Sequence, residues 1–179
     1  MWRKKISRDI LALPLLFAGC LVLGLIVNKS RKSPLPLAYL SPASRMNTAV
    51  ANIGAPTLSG VALSADVSKK EMRKISTDES ALILDARPQT FFKLGHIPSA
   101  LSLPRDDFSA GYQGLQKTLS SYRNKTIVVY CSDSGCPDSR LVGESLRKLG
   151  YQDVRLFRGG WDEWVGANLP TQQGCGCGD

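Results

Sequence analysis

The chain has 179 residues, 43% of them hydrophobic and 21% charged, a composition of a folded protein with room for one ordinary domain and an appendage. Its net charge of +8 is concentrated at one end: residues 1–33 hold Arg3, Lys4, Lys5, Arg8, Lys29, Arg31 and Lys32 against Asp9, a net of +6 that leaves +2 for everything after them. A basic excess that flanks an apolar segment is not a nucleic-acid footprint, and no nucleic-acid partner is expected. The five cysteines, Cys20, Cys131, Cys136, Cys175 and Cys177, do not frame a disulfide scaffold: they are odd in number, one lies in the apolar segment, and the domain is large enough to build a core.

In chain order, a basic stretch (1–9) precedes ILALPLLFAGCLVLGLIV, an uncharged run over residues 10–27. As a helix this run extends roughly 27 Å, enough for the hydrocarbon core of a bilayer. It is longer than the apolar part of a cleaved signal, and the small-x-small candidate Ala49-Val50-Ala51 lies too far downstream. Leu16–Cys20 resembles a lipoprotein lipobox, but seven more apolar residues follow Cys20 where a lipoprotein turns polar. The expectation is one membrane anchor with a single pass. Four Lys/Arg before it and three after it make orientation nearly even, and the short basic N-terminus tips the soluble domain to the non-cytoplasmic, periplasmic or extracellular, side.

Residues 28–60, rich in Pro, Ser, Ala and Gly with no sustained period, read as a linker. From residue 61 to about 170 the texture is that of a folded domain. Ser68 and Glu71 form a capping box ahead of Met72 and Ile75. Ala81–Leu84 is a short apolar strand closed by Asp85-Ala86-Arg87-Pro88, Phe91 and Phe92 lie in a helical turn ended by Gly95, and Ala100–Leu103 is a second strand. Leu115, Leu119 and Tyr122 mark an amphipathic helix between Asp106 and Arg123. TIVVY, Thr126–Tyr130, is the clearest strand, being β-branched, aromatic and uncharged. Leu141, Val142, Leu146 and Leu149 then line one helical face with Gly150 as its stop. Val154–Phe157 is a last strand, and Gly159-Gly160 lead into a segment carrying Trp161 and Trp164. The tail 171–179 is expected to be disordered. Uniformly apolar short strands alternating with helices imply an α/β fold, a parallel sheet covered on both sides.

Sites in such sheets form where a strand ends and the next helix begins. Cys131 occupies that position, directly after TIVVY. The loop Ser132, Asp133, Ser134, Gly135 and Cys136 is small enough to turn backbone N–H groups toward a common point, a nest for an anion, and the following helix adds its positive end, with Asp138 or Ser139 as its N-cap. Both features favour thiolate over thiol and mark Cys131 as a nucleophile. Cys136, five residues on, lies within disulfide reach if the loop is tight, and packing into the helix start is its alternative. His96 is the sole histidine, so a Cys–His pair would have to use it, although shaping a turn is the simpler role. Asp85 and Arg87 at the first strand end read as supports, Trp161 and Trp164 as core and wall, and Cys175 with Cys177 as too few ligands for a metal site.

Taken together, Asp85-x-Arg87, Gly95-His96-Ile97-Pro98, the cysteine at a strand end and Gly159-Gly160-Trp161 resemble, in order and spacing over residues 64–170, a single rhodanese domain. That resemblance implies a five-stranded parallel sheet flanked by helices, and a sulfurtransferase whose Cys131 accepts sulfane sulfur as a covalent persulfide, cradled by the amides of residues 132–136, and passes it to a thiol. The implied partners are a small sulfur donor and a thiol acceptor, with no separate cofactor and no metal. The loop departs from thiosulfate-using members in carrying Asp133 and Asp138 in place of Arg or Lys, and its first cation is Arg140, a further support. Opposing charge weakens thiosulfate binding and points to another persulfide donor. Pro137 stands where related phosphatases have arginine, and, having no donor for a phosphoryl group, it argues against that chemistry. A thiol–disulfide redox protein using Cys131 and Cys136, or a catalytically silent binding module, are the alternative readings.

Overall fold

A computed structural model describes residues 2–31, 35, 37, 39–54 and 63–174 of the chain. Two compact units divide at residue 40. The first is carried by helix α1, Trp2–Ser30, in which Leu13–Ser30 has a mean hydropathy of 1.8 and is long and apolar enough to cross a membrane or to serve as a signal sequence.

The second unit opens with a difference from the linker expected at residues 28–60. Residues Pro42–Asn52 form helix α2, in which Met46 and Val50 are buried. The local chemistry explains it: Ser41 Oγ accepts the Ser44 N–H at 3.1 Å, and Pro42 supplies a pre-set φ in the first turn. Met46, Ala49, Val50 and Ile53 then fall on one face and pack into the main core, and Asn47 Oδ1 accepts a 2.7 Å hydrogen bond from Lys148 Nζ.

Next come α3 (Lys69–Asp78), β1 (Leu82–Asp85), α4 (Gln89–Leu94), β2 (Leu101–Ser102), α5 (Phe108–Ser120), β3 (Thr126–Tyr130), α6 (Asp138–Lys148), β4 (Asp153–Phe157) and α7 (Gly160–Gly166). Half of the expected capping box forms, with the Glu71 N–H donating to Ser68 Oγ, while the Glu71 carboxylate pairs with Arg155. The strands make a parallel sheet in the order β2-β1-β3-β4. Period-two alternation sends Leu82, Leu84, Ile127, Val129, Val154 and Leu156 to the face covered by α2, α5 and α6. Ile83, Val128, Tyr130 and Phe157 point to the other, under α3, α4 and α7.

The expected fifth strand is not a regular strand among the described residues. Ser64 N–H donates to the Val154 carbonyl and Val67 N–H to the Leu156 carbonyl, so three residues on one side face two on the other. That extra residue is a bulge-like slip that breaks the ladder while keeping the segment against the β4 edge. The tail differs too: Gln172 and His96 exchange backbone hydrogen bonds of 2.9 and 2.8 Å as an antiparallel bridge, tying residues 171–174 to the domain. Cys175 and Cys177 lie outside the described residues.

Two turns need glycine. Gly150 has φ +95°, and the Tyr151 N–H to Leu146 carbonyl and Gly150 N–H to Arg147 carbonyl bonds close α6 in a Schellman motif. Gly160, at φ +62°, matters to the site.

Candidate active site

Cys131 follows the last residue of β3 at the carboxyl end of the sheet, and only 2% of it is exposed. Its loop is held from below by backbone. The Trp161 N–H donates to the Cys131 carbonyl at 2.8 Å and the Asp162 N–H to the Ser132 carbonyl at 2.9 Å, so the start of α7 clamps both residues. A Cβ on Gly160 would lie 2.5 Å from the Cys131 carbonyl oxygen and 2.7 Å from that of Ser132, which is why the clamp needs glycine there.

A buried ionic network supports this clamp. The Arg87 guanidinium donates to both carboxylate oxygens of Asp85, with Nη2 2.6 Å from Oδ2, and Nη2 also donates to the Gly95 carbonyl at 2.7 Å. Asp85 Oδ2 accepts the Tyr130 hydroxyl as well, and that hydroxyl in turn accepts the Ile97 N–H at 3.2 Å. Asp85 is fully buried and Arg87 is 3% exposed, so every charge here is matched inside the protein. Burial, reinforced by the Asp85 charge, pushes the Tyr130 hydroxyl well above its ordinary pKa, so it acts as a permanent donor to Asp85. Asp85 and Arg87 thus pair with each other at the first strand end and brace the Gly95 turn.

The loop departs from the expected anion cradle. Asp133 turns its own carboxylate inward: Oδ1 accepts the Gly135 N–H at 2.6 Å, and the Asp133 carbonyl accepts the Cys136 N–H at 3.2 Å. Two of the amides expected to hold a persulfide are thus engaged within the loop, one by the short Asp133 side chain two residues back and one by the Asp133 backbone carbonyl. Ser132 and Ser134 complete the turn. Cys131 and Cys136 are joined as a disulfide with Cα atoms 6.2 Å apart, which resolves the two orientations left open for Cys136.

The charged residues near the pair are also rearranged. The residue preceding α6 is Pro137, and neither Asp138 nor Ser139 caps the helix with its side chain. Asp138 instead turns toward the cysteines. One of its carboxylate oxygens and the two Sγ atoms lie within 4.8 Å of one another. With both sulfurs in a disulfide the trio is not a metal-binding set. Arg105, from the loop after β2, reaches Asp138 Oδ1 at 2.7 Å and Asp106 at 2.6 Å. Burial, and secondarily Asp106, push the Asp138 carboxyl above the usual carboxylate range, against the opposing pull of Arg105. The sequence carried no signal for Arg105, which lies 33 residues upstream of its partner. Arg140, expected to support the loop, instead pairs with Glu144 on the exposed face of α6 at 2.8 Å, since an i,i+4 carboxylate is its nearest partner.

A cavity of about 190 Å³ opens beside the loop, lined by Asp133, Ser134, Cys136, Pro137, Arg140 and Arg158 among others. Cys136 lines it and Cys131 does not. His96 takes no part: fully buried, it stacks on Phe92 at 3.8 Å, with Nδ1 2.9 Å from the Phe92 carbonyl. Trp164 is core, its indole N–H donating to the Pro170 carbonyl, and Trp161 is wall.

A strand-end cysteine on a parallel sheet, clamped by a Gly-Gly-Trp turn, defines a rhodanese-type site. The rhodanese-like domain model matches residues 68–167, and the chain belongs to that family. It is 28% identical over 102 residues to an uncharacterized protein of Buchnera aphidicola, covering 57% of this chain and 67% of that one. It is 27% identical over 110 residues to a tRNA uridine(34) hydroxylase of Cronobacter sakazakii, covering 62% of this chain and 31% of that relative. Among solved structures, the BH2092 protein of Bacillus halodurans superposes with a TM-score of 0.49 at 19% identity, over 74% of this chain and 87% of that one.

Proposed function

We propose that the protein is a sulfurtransferase in which Cys131 takes sulfane sulfur from a small donor, holds it as a persulfide and yields it to a thiol acceptor. The observation that carries this reading is the placement of Cys131 at the end of β3, its carbonyl clamped by the Trp161 amide. Membership in the rhodanese-like family supports it. The chemistry is covalent and calls for no cofactor. Asp133 and Asp138 beside the pair disfavour a dianionic donor such as thiosulfate and favour a persulfide.

The Cys131–Cys136 disulfide favours a second step. The Cys136 thiolate attacks the inner sulfur of the Cys131 persulfide, the outer sulfur leaves as hydrosulfide after taking a proton, and the disulfide forms. An external thiol must then reduce it. Without the sulfur donor the same pair works as a thiol–disulfide couple.

Helix α1 tethers the domain to a membrane, with the domain on the non-cytoplasmic side. A disulfide persists there, and the basic N-terminus ahead of the helix favours that topology.

Intact-mass measurement on the full chain in detergent, reduced and freed of reductant before incubation with glutathione persulfide, tests the main reading. A gain of one sulfur atom that is lost in Cys131→Ser is expected, with a Cys136-dependent loss of two hydrogens as sulfide is released. A Cys131 that alkylates freely yet takes sulfur from no donor would sink the sulfurtransferase. Protease protection on membrane vesicles tests the topology.

A further inference from the structure

The two sulfurs of the disulfide are not equivalent. Cys136 is partly exposed and lines the 190 Å³ cavity, whereas Cys131 is 2% exposed and does not reach it. An incoming thiolate therefore meets Cys136 first. Breaking the bond leaves charge on Cys131, deep in the site, where an ion is poorly solvated and a proton source is needed.

Among the described residues, Asp138 is an acid–base group in place. The Asp138 carboxylate lies within 4.8 Å of both Sγ atoms, is released from helix capping, and is fixed in direction by Arg105 at 2.7 Å. Several other charged groups near the loop are committed, Asp106 to Arg105, Asp133 to the Gly135 amide, Arg140 to Glu144 and Arg158 to Asp66, and Asp162 is exposed. His96 is sequestered under Phe92.

We propose that Asp138 is the proton-transfer group of the Cys131–Cys136 pair. A small thiolate entering by the cavity attacks Sγ of Cys136 and forms a mixed disulfide there. The S–S bond breaks toward Cys131, and the Asp138 carboxyl delivers the proton that Cys131 takes. In the closing direction the Asp138 carboxylate removes the proton from the Cys131 thiol, Cys131 attacks Cys136, and the small thiolate departs. Electrons and protons balance in both directions, with the external thiol as reductant. Burial holds a larger fraction of Asp138 protonated than an exposed carboxylate would have, which serves the acid role. The proposal rests on the step above in which the two cysteines pass between thiols and disulfide.

The oxidised full chain in detergent, treated with reduced glutathione and quenched by alkylation, provides the test. Peptide mapping is expected to find glutathione on Cys136 and the alkyl group on Cys131. The opening rate per glutathione thiolate falls as pH rises through the Asp138 titration and is slower in heavy water. Asp138→Asn loses both the inflection and the isotope effect, and Asp138→Glu keeps them. Arg105→Met, which removes the charge that favours the carboxylate, moves the inflection to higher pH and guards against a variant that merely misfolds. Glutathione on Cys131, or an Asn variant with an unchanged profile and isotope effect, overturns the role of Asp138 alone. A wild-type disulfide that glutathione never opens overturns the exchange step as well.

Discussion

The Arg87 guanidinium lies 4.5 Å from the centre of the Trp161 ring, and the Trp161 amide holds the Cys131 carbonyl. A buried ion pair is thereby mechanically continuous with the Cys131 backbone. Replacing Arg87 with Met leaves Asp85 charged and uncompensated inside the protein, and a loss of about 3–5 kcal/mol is expected. Urea denaturation of the full chain in detergent measures it. The double change Asp85→Asn with Arg87→Met restores part of the loss, because the orphaned charge is gone.

Gly160→Ala forces a Cβ to within 2.5 Å of the Cys131 carbonyl at a left-handed φ of +62°. The conformational part alone costs roughly 1–2 kcal/mol. The clamp on Cys131 opens as the loop moves away, so the reduced variant alkylates at Cys131 faster than wild type. An unchanged alkylation rate would show that the loop holds its place without α7.

Helix α2 belongs to the domain core, so Met46→Ala is expected to destabilise the domain by about 2–5 kcal/mol. A linker residue would give no measurable change. Denaturation midpoints of the full chain separate the two outcomes.

Asp153 links β4 to β3 through Thr126 and accepts hydrogen bonds from Arg155, and Arg155 first of all holds its carboxyl down at about 2. A depressed folded pKa contributes stability that is present above the ordinary carboxylate range and lost as pH falls toward 2. Asp153→Asn is therefore expected to lower stability at neutral pH by about 1 kcal/mol and to flatten the acid limb of the stability curve. Acid titration monitored by circular dichroism checks both.

Much of this architecture was legible in the chain. TIVVY had to be a buried strand, since five β-branched and aromatic residues without charge have no other economical placement. The residue after it had to stand at the sheet's carboxyl end. The α2 helix carries its own signals: Ser41-Pro42 is a start, and Met46, Ala49, Val50 and Ile53 are a stripe. The Pro, Ser and Ala content of the segment masked them. The bulge at residues 64–67 has no sequence signature, because it follows from how that segment meets the β4 edge.

The sequence by itself determined the alternation of apolar strands and helices in a parallel α/β order, the position of Cys131 at a strand end and the apolar N-terminal helix, because periodicity and strand-end placement are local properties. Only the tertiary structure decided that Cys136 joins Cys131, that Asp133 occupies its own loop's amides and that Asp138 faces the sulfurs under Arg105. Those outcomes depend on side-chain direction and on residues distant in the chain. Spacing brings groups near one another; packing decides which of them touch.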